Sequence, residues 1–112
     1  MSSISTYTFN GHLGRDPETR YTPSGQMNVS FSVGVNPMFA NGETTWVNVT
    51  CWGKLGESMN KLAEMGALAK GRMVIVTGDL RLRTYTGNDG VQRASLDVNA
   101  NVVQLVGQRE DQ

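Results

Sequence analysis

Two tryptophans, Trp46 and Trp52, are the side chains of this 112-residue chain whose type and spacing most clearly indicate ligand-binding chemistry. They lie in the segment 44–54, which is rich in β-branched and aromatic residues and whose strict alternation predicts a β-strand. One face of that strand is an apolar row of Val47, Val49 and Cys51. Both indoles fall on the opposite face with Asn48, and the usual strand rise separates them by roughly 20 Å. Such a surface suits an extended ligand that carries flat rings.

A second row of candidate ligand contacts lies in the predicted strand 72–85. Alternation there predicts an outward row of Arg81, Arg83 and Tyr85 and an inward row of Leu80, Leu82 and Thr84. Two arginines and a tyrosine on one exposed face fit a ligand that has backbone phosphates and stacked rings. A charged face that only keeps the sheet in solution has the same pattern, so both interpretations stay open.

The residues that most often perform catalysis or bind metals have no partners at a useful spacing. His12 is the only histidine, and no Cys, Asp or second His stands near it in a metal-site or triad pattern. Cys51 is the only cysteine and falls on the inward face of its strand, which fits a core thiol in a reducing compartment. The sequence therefore predicts no enzyme, no metal site and no cofactor.

The charges of the chain are balanced but unevenly distributed. The formal net charge is zero, with 10 basic and 10 acidic residues. Four of the acids lie in the predicted helix and at the C-terminal end, whereas a basic stripe consists of Lys54, Lys70, Arg72, Arg81, Arg83 and Arg93. Neither a leader pattern nor an apolar run of about 18 residues occurs, so we expect a cytoplasmic protein without a membrane segment.

The N-terminal half predicts two further strands separated by a loop. Alternation indicates a first strand over 6–13, turn dipeptides indicate a loop over 15–25, and alternation returns over 26–36. The outward row of that second strand is short and polar, which suits either a surface under a ligand or an ordinary solvated face. Phe39 lies near the tip of the next reversal, where it either folds back on the core or serves as a mobile stacking platform.

The C-terminal half predicts one helix and a final strand. A period of 3.6 over 55–65 indicates a helix that buries Leu55, Met59, Leu62 and Met65. Gly66 ends it, or a further turn continues to Lys70. Gly78 predicts a bulge or bend in the fourth strand. The inward row of the fifth strand is Ala94, Leu96, Val98, Ala100 and Val102, and Arg93 starts its outward row.

Five strands with one helix between the third and the fourth are typical of an all-β OB-fold, a five-stranded Greek-key barrel. We expect one such domain over 1–107, followed by a short polar end over 108–112. In that fold the ligand face consists of the second and third strands with their flanking loops. Trp46, Trp52 and Asn48 fall on this face.

At this level of detail the sequence resembles a known family. The segment 11–25 is similar to the Gly-Asn-Leu-Gly-x-Asp-Pro-Glu-x-Arg-Tyr-x-Pro-x-Gly signature of bacterial single-stranded DNA-binding proteins. The likeness extends from about Tyr7 to Leu105 and includes the segments 52–57 and 78–85. The resemblance implies base stacking on Trp46, Trp52 and Tyr85, with Phe39 matching the family's loop aromatic. It also implies phosphate contacts from Lys54, Lys70, Arg81 and Arg83.

The resemblance carries wider expectations about assembly and partners. It implies a homotetramer built from dimers that coats single-stranded DNA in replication, recombination and repair at the nucleoid. The family's flexible tail, which has an acidic tip, does not follow Gly107 in this sequence, so we expect replication and repair proteins as partners only if a tail exists in the full-length protein. Single-stranded RNA binding and a primosome-type protein-interaction module remain alternatives, since the same aromatic residues suit either role.

Overall fold

The computed structural model describes residues 6–36 and 44–107. Its elements in chain order are β1 (Thr6–Leu13), β2 (Glu18–Tyr21), β3 (Met27–Val35), β4 (Thr45–Trp52), α1 (Gly53–Glu64), β5 (Met73–Thr86) and β6 (Gln92–Val106). The reversal that carries Phe39 lies outside the described residues. Within residues 6–36 and 44–107, no helix is long and apolar enough to cross a bilayer.

Five of the strands close into a ring. β1 pairs with β5, β5 with β6, β6 with β4, β4 with β3, and β3 returns to β1 at His12 and Leu13. Every pairing in the ring is antiparallel except that of β4 with β6, which runs parallel from Val47 opposite Leu96 to Thr50 opposite Asn99. The predicted all-β OB-fold with one helix is confirmed.

The segment 15–25, predicted to be a loop, contains the short strand β2. It pairs with the free edge of β3, from Glu18 opposite Ser30 to Tyr21 opposite Met27. All four residues of β2 are exposed, so no apolar alternation marks the strand in the sequence. The segment is a strand because its backbone pairs with β3. Pairing with a distant strand leaves no pattern in the local sequence.

The core is filled by the inward rows of the barrel strands. Valines at positions 29, 33, 47, 49, 74 and 76 are fully buried together with Cys51, because β-branched side chains pack well on a pleated surface. The helix α1 packs against β3 and β4 through Met59, and Leu55 and Leu62 are partly buried beside it. Leu68, in the connection to β5, is 1% exposed and completes this end of the core.

Of the two predicted ends of α1, the one at Gly66 is confirmed. The helix ends at Glu64, and Gly66 adopts a left-handed φ of 81° that a helix cannot continue through. The backbone N–H groups of Ala67 and Leu68 both donate to the Leu62 carbonyl, so no further turn reaches Lys70. Because the chain turns away here, Met65 is largely exposed and its predicted burial is wrong.

A β-bulge reverses the inward row of β6. Thr77 lies opposite Val102 and Gly78 opposite Ala100, so Asn101 is an extra residue in β6. The bulge expected near Gly78 is confirmed. Beyond the extra residue the alternation shifts by one, so that Val103 and Leu105 pack on the core and Val102 is exposed. The predicted inward position of Val102 is therefore wrong.

Past Leu80, the ends of β5 and β6 leave the barrel as a two-stranded ribbon. Every residue of 81–86 is exposed, and Leu82 reaches 66% exposure. Leu82, Thr84 and Ala94 are consequently not inward, as alternation predicted, because no second layer covers the ribbon. The ribbon carries Arg81, Arg83 and Tyr85 outward from the body of the barrel.

Candidate functional site

The two tryptophans of β4 lie on the outer surface of the barrel. Trp46 is 54% exposed and Trp52 is 39% exposed, whereas Val47, Val49 and Cys51 between them are fully buried. The face assignment predicted from alternation is confirmed. Tryptophan rarely leaves this much of its ring in water without a role, since burying an aromatic ring is strongly favourable.

Trp46 rests on two glycines. Gly34 is its cross-strand neighbour in β3, and Gly14 follows β1 and donates its N–H to the Ser32 carbonyl at 3.0 Å. A Cβ on Gly14 would lie 2.5 Å from Cζ3 of the indole, and one on Gly34 would lie 3.1 Å from the same atom. Because neither glycine has a side chain, the indole can pack directly against the backbone at both positions.

Trp52 is oriented by a side chain of the neighbouring strand. Its Nε1–H donates to Oδ1 of Asn99 at 3.3 Å, and Asn99 belongs to β6, which pairs with β4. A contact of this length is at the weak end of the hydrogen-bond range. It nevertheless satisfies the only polar group of the indole and leaves the ring surface available for stacking.

A row of polar side chains crosses the face between the two indoles. Ser32 Oγ donates to Asn48 Oδ1 at 3.4 Å, and Asn48 Nδ2 donates to Asp97 Oδ1 at 3.1 Å. On the far side, Arg83 Nε forms an ion pair with Asp97 Oδ2 at 3.3 Å. The row spans β3, β4, β6 and β5. Groups that both donate and accept hydrogen bonds thus occupy the surface between the aromatic rings.

Several of the predicted basic and aromatic contacts share this surface. Arg81 pairs in register with Asp97 of β6, and Tyr85 is exposed on the same row of the ribbon, opposite the backbone of Arg93. Lys54 is exposed in the first turn of α1, two residues after Trp52. Within 6–36 and 44–107, neither Arg81 nor Lys54 forms an ion pair, so both charges are available to a ligand.

Lys70 and Arg72 are engaged at the end of the barrel near Leu13. The backbone N–H of Lys70 donates to Asp16 Oδ1 at 2.8 Å, and its side chain is exposed. Arg72 is half-buried, and its Nη2 donates to the Gly107 carbonyl at 3.0 Å. The place of Arg72 in a basic stripe that binds the ligand stays a prediction, but its contact with Gly107 fits a structural role for the guanidinium.

Sequence reasoning missed two arginines beside the face. A groove of about 190 Å³ runs between β2 and β4, and Arg15 and Arg20 line it together with the carboxylates of Asp16 and Glu18 and with polar side chains of β3 and β4. Arg15 also lines a neighbouring cleft with Gly14 and Trp46, so the two depressions adjoin. Arg20 is paired with Glu18 at 3.1 Å. The signal was present in the motif 11–25, where acids beside these arginines masked their charge.

Of the reactive groups singled out from the sequence, Cys51 lies in the core, and His12 lies opposite Gly34, the cross-strand neighbour of Trp46. Cys51 is fully buried in the core, and that burial raises the pKa of its thiol to about 12. His12 is exposed on β1. The part of the chain that the structure describes contains no group of three or more His, Cys, Asp or Glu placed to hold a metal ion.

The chain is similar to known proteins over most of its length. The single-strand binding protein family model matches residues 4–106. A single-stranded DNA-binding protein from Neisseria meningitidis serogroup A is 35% identical over 115 residues, covering 97% of this chain and 63% of the relative. Proteins of the same name from Xanthomonas campestris and Bacillus cereus are 39% and 35% identical, each covering 88% of this chain and 58% of the relative. This chain thus spans about three-fifths of the length of the relatives it matches. The chain belongs to the single-strand binding protein family.

Proposed function

We propose that this chain binds single-stranded DNA with little sequence preference. The observation that carries the proposal is the pair of half-exposed indoles on one face of β4, joined by a polar row. The names of the relatives from Neisseria and Xanthomonas support the same ligand. Bases stack on Trp46 and Trp52, and Tyr85 extends the aromatic row along the ribbon.

A face of this kind binds single strands of different base sequence for simple physical reasons. Every base has a π-face, and stacking on an aromatic side chain contributes roughly 1–3 kcal/mol per base. Every phosphate carries the same charge, and contacts from Lys54, Arg81 and Arg15 release counterions from the strand. Affinity is consequently high at low ionic strength and falls as salt is added.

The biological role that follows is to coat single strands during replication, recombination and repair. No step of this role requires bond making or breaking, so the chain acts as a binding protein and not as an enzyme. We place it in the cytoplasm at the nucleoid, where such strands arise. The buried thiol of Cys51 is compatible with that reducing compartment.

A titration of intrinsic fluorescence tests the proposal. Homopolymers of dT, dA and dC in several lengths should quench tryptophan emission, and affinity should fall steeply between 50 and 200 mM salt, on the order of the dependence known for phosphate binders. Duplex DNA should bind far more weakly. Equal affinity for RNA of the same length would widen the ligand class. A protein partner that binds without steep salt dependence, in the absence of any quenching by DNA, would favour the protein-interaction alternative instead.

We further propose that the chain forms a homotetramer built from dimers. β1 pairs with β5 along one edge, but on its other edge only His12 and Leu13 have a partner among the described residues. The edge of 6–11 is therefore free to pair with another chain. Multi-angle light scattering should give about four times the chain mass. A monomer mass that does not change with concentration would refute the assembly.

A further inference from the structure

Asp97 places a carboxylate in the middle of a face that we propose to bind a polyanion. Its Oδ1 accepts hydrogen bonds from Asn48 Nδ2 at 3.1 Å and from Ser95 Oγ at 3.5 Å, and its Oδ2 faces Arg83 Nε at 3.3 Å. Asn48 stands in β4 between the two indoles, so the carboxylate lies within the stacking surface. This carboxylate therefore faces an arginine that a phosphate of the ligand could also contact.

The contact between Arg83 and Asp97 is weak enough for another anion to replace the carboxylate. A single guanidinium nitrogen, Nε, lies 3.3 Å from Asp97 Oδ2, and its N–H donates to Ser95 Oγ at 3.4 Å, so the pair lacks the geometry of a strong bidentate contact. The side chain of Arg83 is 67% exposed and that of Asp97 is 35% exposed, so water screens the pair and it contributes little to stability. If Arg83 turned away, Asp97 would keep its hydrogen bonds to Asn48 and Ser95.

We propose that Asp97 is an exchangeable counter-ion that competes with phosphate for Arg83 and thereby limits the affinity of the face for a single strand. This inference rests on the proposed function. Arg83 pairs with Asp97 when no strand is bound, and a phosphate of the arriving strand takes its place. Each binding event therefore exchanges one ion pair for another, so Arg83 adds less affinity than an unpaired arginine such as Arg81. Dissociation is correspondingly faster, because Asp97 recaptures Arg83 as the phosphate leaves.

The substitution Asp97→Asn removes the competing charge and retains an oxygen that can accept from Asn48. Because an exposed pair is worth little, we expect this variant to bind dT oligomers roughly two- to fivefold more tightly at low salt. The salt slope should become steeper by about 0.7 to 1 unit, because in the parent the charge of the released carboxylate offsets about one phosphate contact. Glu64→Gln is the matched control, since it removes one charge from an exposed position of α1. It should change neither quantity.

The same substitution in a variant that lacks Arg83 distinguishes exchange of the Arg83 partner from simple repulsion between Asp97 and the strand. In Arg83→Ala, the substitution Asp97→Asn should yield a much smaller gain in affinity, because no guanidinium remains to be released. A gain that persists in full would show that the carboxylate merely repels the strand, which would overturn the exchange. Weaker binding by Asp97→Asn in the parent background would show that Asp97 orients Arg83 for phosphate, and it would overturn the proposal as well.

A measurement on the unaltered protein keeps the test independent of how the variants fold. The arginine Nε–H resonance of Arg83, observed by ¹⁵N NMR, should shift on addition of dT oligomer as a phosphate replaces its contacts with the Ser95 hydroxyl and the Asp97 carboxylate. An Arg83 resonance that does not move while tryptophan emission is quenched would refute the exchange and leave the proposed function intact. Absence of quenching in parent and variant alike would instead refute the proposed function.

Discussion

Trp46 occupies the space that a side chain on Gly14 would need. The turn that carries Gly14 is held in place from both sides, by the bond from Gly14 N–H to the Ser32 carbonyl and by the bond from Lys70 N–H to Asp16. The indole therefore meets a fixed backbone surface beneath one side and solvent on the other. A residue outside the aromatic row thus determines the height and tilt of a stacking platform.

The substitution Gly14→Ala should weaken binding of single-stranded DNA while changing the melting temperature little. The new Cβ forces the indole to move, yet Trp46 is half-exposed and shifts without disturbing the core. Gly34→Ala should have a smaller effect, because its Cβ would meet the ring at 3.1 Å instead of 2.5 Å. Fluorescence titration and thermal denaturation measure the two quantities. In a Trp46→Ala background, Gly14→Ala should cause no further loss of affinity. A further loss there would mean that Gly14 contributes through the turn and not through the ring.

Truncation of either tryptophan should separate binding from stability. We expect Trp46→Ala and Trp52→Ala each to weaken binding by roughly 1–3 kcal/mol, the value of one stacked base. Thermal stability should stay nearly unchanged, whereas a buried tryptophan would cost roughly 3–5 kcal/mol on truncation. Val49→Ala is the converse control, because Val49 is fully buried on the other face of the same strand. It should melt earlier and, once folded, bind like the parent. Two tryptophan variants that melt early and bind normally would invert the face assignment.

The face of β4 was predictable because one of its sides is buried. Alternation fixes which side chains face the core wherever the two sides of a strand meet different environments, as at Val47 and Trp46. The same reasoning failed for Leu82 and Val102. Leu82 lies in a ribbon without a second layer, and Val102 follows the extra residue Asn101. Both outcomes depend on pairing between strands that are distant in sequence, which a local period does not contain.

Part of the candidate site was hidden from the sequence for the same reason. The ion pair of Arg83 with Asp97 forms across the β5–β6 hairpin, and the spacing of the two residues matches no local motif. Arg15 and Arg20 reach the groove only because β2 pairs with the edge of β3. The sequence directly shows which residue types follow one another along a strand. Only the folded chain shows which charged side chains neutralise each other.

The stability of the fold should depend on Cys51 at alkaline pH. Burial raises the pKa of its thiol from 9.0 to about 12, so the folded state keeps the proton where the unfolded chain loses it. Stability is thus unaffected below pH 9 and declines as the pH rises from 9 towards 12. Between pH 8 and pH 10 this group should remove about 1.4 kcal/mol of unfolding free energy. Denaturant unfolding of the parent and of Cys51→Ala at both pH values measures it. An equal loss in both proteins would show that the thiol does not contribute.

Arg81 and Arg72 should respond to substitution in opposite ways, although both belong to the basic stripe predicted from the sequence. Arg81 is exposed beside the polar row and forms no ion pair among the described residues, so Arg81→Ala should flatten the salt slope by about one unit. Its melting temperature should match that of the parent. Arg72 is half-buried and donates to the Gly107 carbonyl, so Arg72→Ala should lower the melting temperature and leave the salt slope unchanged. Fluorescence titrations at four salt concentrations, combined with thermal denaturation, distinguish the two variants. A flattened slope for Arg72→Ala, with normal stability, would place Arg72 in the path of the strand and contradict its structural role.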